Sequence, residues 1–298
     1  MSENLAGLEL GGTKTVVVMG MPETIRYRME FPTTGPEETL DRAVAVIREW
    51  QSREPVAALG VASFGPIRVS PQAADFGVML DVPKPGWTGA PVIPRLSAAL
   101  GLPLALDTDV NAAALAEQRL GAAQGCEVAV YLNLGTGVGG GIVAAGRSLR
   151  GMLHPELGHV RLRRASGDDF AGVCPFHGDC AEGLLSGPAL AARFGRHPAG
   201  VAPDEPAWHP VAQDLAELLA QIILALSPQR IVIGGGVSAR QPQLLPLALA
   251  RIPAILGGYL RDCTPDALAR LVVPPALGDD AGPAGALLLA RRAMVAPG

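Results

Sequence analysis

Two α/β domains of related design, closing over a shared cleft, are the fold class that this sequence predicts, and three observations carry the prediction. The chain has 298 residues, more than one core comfortably organises. Apolar, β-prone runs alternate with helical spacings along most of its length. A unit of strand, glycine turn and returning strand occurs twice, once near the start of each half.

Residues 5–10 and 15–19 are β-prone runs flanking Gly11-Gly12-Thr13-Lys14, which makes a hairpin. Residues 36–51 have helical spacing, 56–63 read as a buried strand, and Phe64-Gly65-Pro66 ends that strand in a turn. A helix over 91–100, a short strand over 104–106 and a long helix over 110–120 follow. The opening device then returns as a β-prone run over 126–134, a glycine turn over 135–141 and a returning run over 142–145. Between 150 and 209 the pattern becomes irregular and holds Cys, His, Gly and Pro, the mark of a loop-rich insertion. A helix over 211–226, a strand over 230–233, a third glycine turn at Gly234-Gly235-Gly236 and an Ala/Leu helix over 282–294 complete the reading. The expected domains are 1–110, completed by the last helix at about 282–298, and 111–281, with an insertion over 150–183 that holds Cys and His residues.

Composition removes several function classes. With 49% hydrophobic and 17% charged residues the chain is not disordered. A net charge of −4 without a basic face argues against nucleic acid as a partner. The start MSENLAGLEL has no basic head and apolar run, and no stretch is apolar enough for a bilayer, so a cytoplasmic location and no membrane partner are expected. In a reducing compartment the four cysteines are ligands or buried thiols rather than disulfides.

Backbone N–H groups cradle a polyphosphate only where no side chain blocks the approach, which suits the turns at 11–13 and 135–141 to ATP. Thr13 and Thr136 add hydroxyl donors. One such turn alone is as readily a plain hairpin, but three together point to a nucleotide. Gly135-x-Gly137-x-x-Gly140 also matches the dinucleotide fingerprint, which would open a helix; here a β-like run follows, so a nicotinamide-dependent enzyme is disfavoured.

Strand 104–106 delivers Asp107-Thr108-Asp109 to the start of a helix. Capping falls to Asp107 or Thr108. Asp109 is then either a further structural acid or the general base that phosphoryl transfer to a hydroxyl requires. Asn111, one helical position on, can orient sugar or base.

His159, Cys174, His177 and Cys180 form H-x14-C-x2-H-x2-C, two nitrogens and two sulfurs in a stretch with little apolar material. Four ligands with no open position describe structural Zn²⁺; the alternative is unrelated thiols and surface histidines. Cys126 and Cys263 read as buried thiols, His154 as a solvated or second-shell histidine, and His197 and His209 as surface residues. Glu156 and Glu182 flank the ligands, where they are either solvated loop charges or acceptors for sugar hydroxyls.

In combination, E-L-G-G-T-K at 9–14, G-V-A-S-F-G-P at 60–66, P-K-P-G-W at 83–87, D-T-D-V-N at 107–111, L-G-T-G-V-G-G-G at 134–141, H-P-E-L-G-H at 154–159, C-P-F-H-G-D-C-A-E-G at 174–183 and the segment 278–285 are highly specific. Over nearly the whole chain they resemble the ROK family of repressors and sugar kinases, and within it the bacterial fructokinases. The resemblance implies a two-domain, actin-like (ribonuclease H-like) fold with a cleft. It implies ATP- and Mg²⁺-dependent phosphorylation of a hexose at the 6-hydroxyl, D-fructose first, with mannose, glucose or an amino sugar as alternatives. Asp109 would be the base, and Gly65, Pro66, Thr108, Asn111, Glu156, His159 and Glu182 would meet the sugar. Gly11, Gly12, Thr13, Lys14, Gly135, Thr136 and Gly137 would hold the ATP phosphates, with Gly234, Gly235 and Gly236 near the nucleoside. His159, Cys174, His177 and Cys180 would hold zinc, and the chain would form a homodimer. The family commonly has Asp at position 9 and Asn at 108; Glu9 and Thr108 here, with S-F-G-P and His177 in place of a cysteine, resemble the fructokinase branch. A sugar-sensing repressor of the same family would carry a helix-turn-helix module ahead of the first hairpin, where only a few residues stand.

Overall fold

A hairpin opens the structure, a computed structural model that describes residues 4–295. Strands β1 (Asn4–Leu10), β2 (Lys14–Met21) and β3 (Thr24–Pro32) form an antiparallel meander, followed by α1 (Pro36–Gln51), β4 (Val56–Ser63), α2 (Val92–Leu100), β5 (Leu104–Thr108) and α3 (Asp109–Leu120). β4 and β5 add in parallel to β1, so the first sheet has the order β3-β2-β1-β4-β5. The chain then repeats the plan. β6 (Val128–Leu134), β7 (Val138–Ala144) and β8 (Arg147–Ser148) lead to helices α4 (Ala181–Leu185), α5 (Gly187–Phe194) and α6 (Trp208–Leu226) and strand β9 (Arg230–Gly234). α7 (Gly236–Arg240), α8 (Leu244–Leu249), α9 (Ile252–Ile255), α10 (Pro265–Leu271), β10 (Val272–Val273) and α11 (Ala281–Val295) complete it. The second sheet has the order β8-β7-β6-β9-β10, the first one strand for strand. The duplication expected from two glycine hairpins is therefore a duplication of topology, and the two-domain actin-like fold holds.

Two units of chain divide as Met1–Gln124, Gly141–Pro155 and Leu277–Gly298 in the first, and Gly125–Gly140 and Glu156–Ala276 in the second. This departs from a boundary at 110. α3 packs on α11 and on β4 and β5 of the first sheet, and residues 150–155 of the expected insertion hydrogen-bond into the first unit. Of the terminal helix expected over 282–298, residues 296–298 lie outside the described residues, as do residues 1–3 of the expected first domain.

Strand β1 shows why the first sheet needs cover on both faces. Ala6, Leu8 and Leu10 join one core with Leu40, Ala43 and Ile47 of α1 and Val92, Ile93 and Leu96 of α2. Leu5, with Val16 and Val18 of β2, joins Leu287 and Ala290 of α11 on the other face. The period of two along a strand sends Glu9 to that second face. α11 lies close to the sheet because Gly60 has no side chain: a Cβ there would overlap the Ala286 carbonyl and the Ala290 nitrogen. Gly60→Ala is expected to destabilise the protein by about 3 kcal/mol through overpacking against rigid backbone. A thermal or denaturant melt reads it, and a change under about 0.5 kcal/mol would contradict the close approach.

In the second unit α6 is the central buried helix, with Trp208 edge-on to Phe194 at 4.8 Å between ring centroids. Arg193 of α5 bridges Asp168 at 2.9 Å and the fully buried Asp214 of α6 at 2.8 Å, a charged tie that sequence reasoning missed. Burial pushes the Asp214 carboxyl up to about 7. Among the described residues no helix is long and apolar enough to cross a membrane.

Candidate active site

Ligands of open α/β sheets bind beyond the carboxyl ends of parallel strands. In the first unit those ends belong to β1, β4 and β5, aligned by the pairs Leu10 with Ser63 and Ser63 with Thr108. They carry Glu9 and the turn at Gly11, then Gly65-Pro66, then Asp109. The loop 11–13 is a tight exposed turn closed by Gly11 N–H donating to the Lys14 carbonyl at 3.0 Å. Lys14 reaches Glu30 on β3 at 3.4 Å.

Asp109 is the first residue of α3, and Thr108 caps that helix, its Oγ1 accepting the Asn111 N–H at 3.2 Å. The Asp109 carboxylate is half-buried and accepts the Val110 N–H at 2.8 Å. Burial pushes its pKa up to about 6, close to the ideal for a base working near neutrality. Glu9 lies at the start of α11, where a Cβ on Gly282 would overlap its carboxylate. Burial first, and the Asp109 charge second, push Glu9 up to about 7. The Asp109 charge thus disfavours ionisation of Glu9.

Asp107 and Asn111 behave differently. Asp107 is fully buried and accepts four hydrogen bonds: the Thr108 N–H at 2.9 Å, Asn111 Nδ2 at 2.8 Å, Ser148 Oγ at 2.5 Å and Arg150 Nη2 at 2.7 Å. Asn111 donates to Asp107 and accepts the Ile142 N–H at 3.3 Å, with no exposed surface. The expectation that Asn111 meets the sugar is corrected: both ends of its amide brace the interior. Thr108, 3% exposed, is likewise occupied as the cap rather than presented to a substrate.

The Gly65-Pro66 bond is cis, and the turn is half-buried. Phe64 meets Trp87 edge-on at 5.1 Å, which joins two of the sequence motifs in space. Of the two readings of His154, solvated or second-shell, burial removes the first: it is 7% exposed, with Nε2 accepting the Ile67 N–H at 3.3 Å.

In the second unit, β6 and β9 bring two glycine turns together. The turn 135–137 closes with Gly135 N–H donating to the Gly137 carbonyl at 2.9 Å; Gly139, Gly140 and Gly141, expected in the turn, belong to β7. A strand after this turn removes the dinucleotide fingerprint, which needs a helix there. Gly235, at φ 92°, lies against the Leu134 carbonyl and Asn133 Oδ1, so the third turn leans on the second. Only glycine fits there, since the left-handed backbone and the contact both exclude a Cβ. Glu182, on α4, accepts the Val138 N–H at 3.1 Å and so joins the second turn to the segment that follows the cysteines.

The metal candidates assemble. Cys174 Sγ lies 3.8 Å from His159 Nδ1 and 3.7 Å from His177 Nδ1, and Cys180 Sγ lies 3.6 Å from His159 Nδ1. Sulfur and nitrogen at zinc bond lengths in a tetrahedron stand about 3.6 Å apart, so this donor set fits a closed four-coordinate cation. Burial, and after it the Cys174 side chain, raise the Cys180 thiol to about 11, a cost that a bound cation would reverse. Glu156 is exposed at the start of the turn that holds His159. Cys126 is buried as expected, whereas Cys263 is half-exposed; His197 and His209 are exposed.

The sequence model of the ROK family matches residues 5–293. The chain belongs to the ROK family. A fructokinase of Pediococcus pentosaceus is 37% identical to this ROK protein over 291 residues, covering 97% of the chain and 98% of the relative. Among solved structures, a ROK hexokinase of Thermus thermophilus superposes with a TM-score of 0.77 at 29% identity, covering 97% and 98% of the two chains. A ROK glucokinase of Streptomyces griseus, solved with glucose and AMPPNP, superposes at 0.73 with 25% identity, covering 97% and 99%.

Proposed function

We propose that this ROK protein is a fructokinase, transferring the γ-phosphoryl group of ATP to the 6-hydroxyl of D-fructose. The observation that carries the reading is the Asp109 carboxylate, fixed at the end of β5 by the capped start of α3 and tuned to about 6. Asp109 takes the hydroxyl proton as the sugar oxygen bonds to the γ-phosphorus and the bond to the departing ADP oxygen breaks. Mg²⁺ carried with the nucleotide supplies charge neutralisation at the phosphates when bound. The turns at Gly11–Thr13 and Gly135–Gly137, which the Gly11 and Gly135 amides close from within, offer phosphate their remaining N–H groups together with Lys14 and Thr136, and Gly234–Gly236 lie toward the nucleoside. Gly65 and Pro66 line the sugar, and Glu156, His159 and Glu182 take its hydroxyls. Structural Zn²⁺ on His159, Cys174, His177 and Cys180 holds those three residues in place. A cytoplasmic homodimer completes the proposal.

Full-length likeness to a fructokinase supports fructose over other hexoses. A coupled ADP-release assay over fructose, glucose, mannose and amino sugars tests this. The expected result is a kcat/KM for fructose about tenfold or more above the others, a difference of about 1.4 kcal/mol in transition-state binding. ADP release with no hexose, or a higher value for glucose or mannose, would overturn it.

A further inference from the structure

The segment 142–154 leaves β7 and stays with the first unit through side chains that converge on two places. Ser148 Oγ and Arg150 Nη2 reach Asp107 at 2.5 and 2.7 Å, and Arg150 also donates to the Leu106 carbonyl at 3.0 Å and the Val69 carbonyl at 3.3 Å. These contacts fix the end of β5 and the start of α3, where Asp109 stands. The last residue of the segment, His154, turns to the neighbouring strand end. Its ring lies against Gly65, where a Cβ would sit 3.0 Å from Cε1, and its Nε2 accepts the Ile67 N–H at 3.3 Å.

The turn after β4 is held from three other directions. Phe64 N–H donates to the Leu10 carbonyl at 2.7 Å, Leu80 N–H donates to the Pro66 carbonyl at 2.9 Å, and the Phe64 ring packs on Trp87. None of these engages the amide of Ile67, a fully buried residue. A buried N–H without an acceptor is costly, so the position opposite it needs an acceptor rather than mere bulk. His154 supplies it with the proton on Nδ1, and burial pulls the imidazole pKa down, which keeps Nε2 free to accept.

We propose that His154 is a positioning residue for the hexose site: its Nε2 accepts the Ile67 N–H and thereby sets the Gly65-Pro66 turn in the orientation that the sugar meets. The proposal rests on the assignment of that turn to the sugar. Directly after His154 come Pro155 and Glu156, so one short stretch of chain sets this turn and leads into a carboxylate assigned to the same ligand.

Three variants of the full chain test it. His154→Leu keeps bulk and removes the acceptor, His154→Asn removes it with less apolar change, and His154→Gln restores an oxygen near the Nε2 position. Leu and Asn are expected to raise the KM for fructose about tenfold, with the KM for ATP within about twofold, and to speed amide exchange over residues 64–70 about tenfold; Gln returns both readouts to within about threefold of the parent. A purely structural role would lower the melting temperature without this split or this rescue. Unchanged exchange and fructose KM in Leu and Asn, or a Gln variant as impaired as Leu, overturns the proposal. If the parent releases no ADP with any hexose, the kinase reading fails separately, and the exchange arm alone then decides whether His154 holds the turn.

Discussion

Asp109→Asn is expected to lower kcat by about 10²–10⁴-fold, the usual contribution of a positioned general base, while the protein keeps its fold and its metal content. Asparagine retains the oxygen that accepts the Val110 N–H, so the local geometry survives, but it cannot take the proton. The wild-type profile gives a second readout. Asp109 works when ionised, so kcat/KM should fall as pH drops through about 6. The stability sign runs the other way. A carboxyl whose folded pKa is raised from 3.8 to about 6 binds more protons folded than unfolded, so its contribution is favourable at low pH and is lost as pH rises through about 6. Asp109→Asn removes that penalty and should melt no lower than the parent at about pH 8. Near-normal turnover in the variant would remove Asp109 from the chemistry.

Loss of the metal has the second large effect. Cys174→Ser, or prolonged exposure to a strong chelator, is expected to abolish activity and unfold the segment 156–186. Structural zinc contributes about 10–16 kcal/mol in small domains, comparable with the whole stability of a typical fold. Few apolar side chains there replace it: Val173 and Phe176 are exposed, and the buried members are chiefly the two cysteines and the residues of α4. Metal analysis should give about one zinc per chain in the parent and none in the variant, with faster amide exchange confined first to 156–186. Protein purified without zinc yet fully active and equally stable would sink the assignment.

How far the sequence reached depends on the kind of interaction. Local signals were legible: the helix at Pro36–Gln51 and the strand at Val56–Ser63 follow from period and breaker alone. The glycine hairpins revealed the duplicated sheet, and the four metal candidates singled out by residue type and spacing are brought together in space. β3 was missed although Ile25, Tyr27, Met29 and Phe31 alternate with Arg26, Arg28 and Glu30, a pattern of period two that would have found it. α8 to α10 are too short to show a period. The roles of Asp107 and Asn111 were out of reach, because their partners Ser148, Arg150 and Ile142 lie far along the chain and are residue types common in any loop or strand. The same holds for His154, whose acceptor role is defined by one backbone amide on another element.

The placement of α11 constrains synthesis. Leu287 and Ala290 seal a face of the first sheet, and Ala286 seats on Gly60, so β1 to β5 gain that cover only after some two hundred intervening residues have been made. The amino-terminal unit therefore emerges from the ribosome with an apolar surface open, and its maturation must await residues 281–295, an interval in which chaperone engagement is expected.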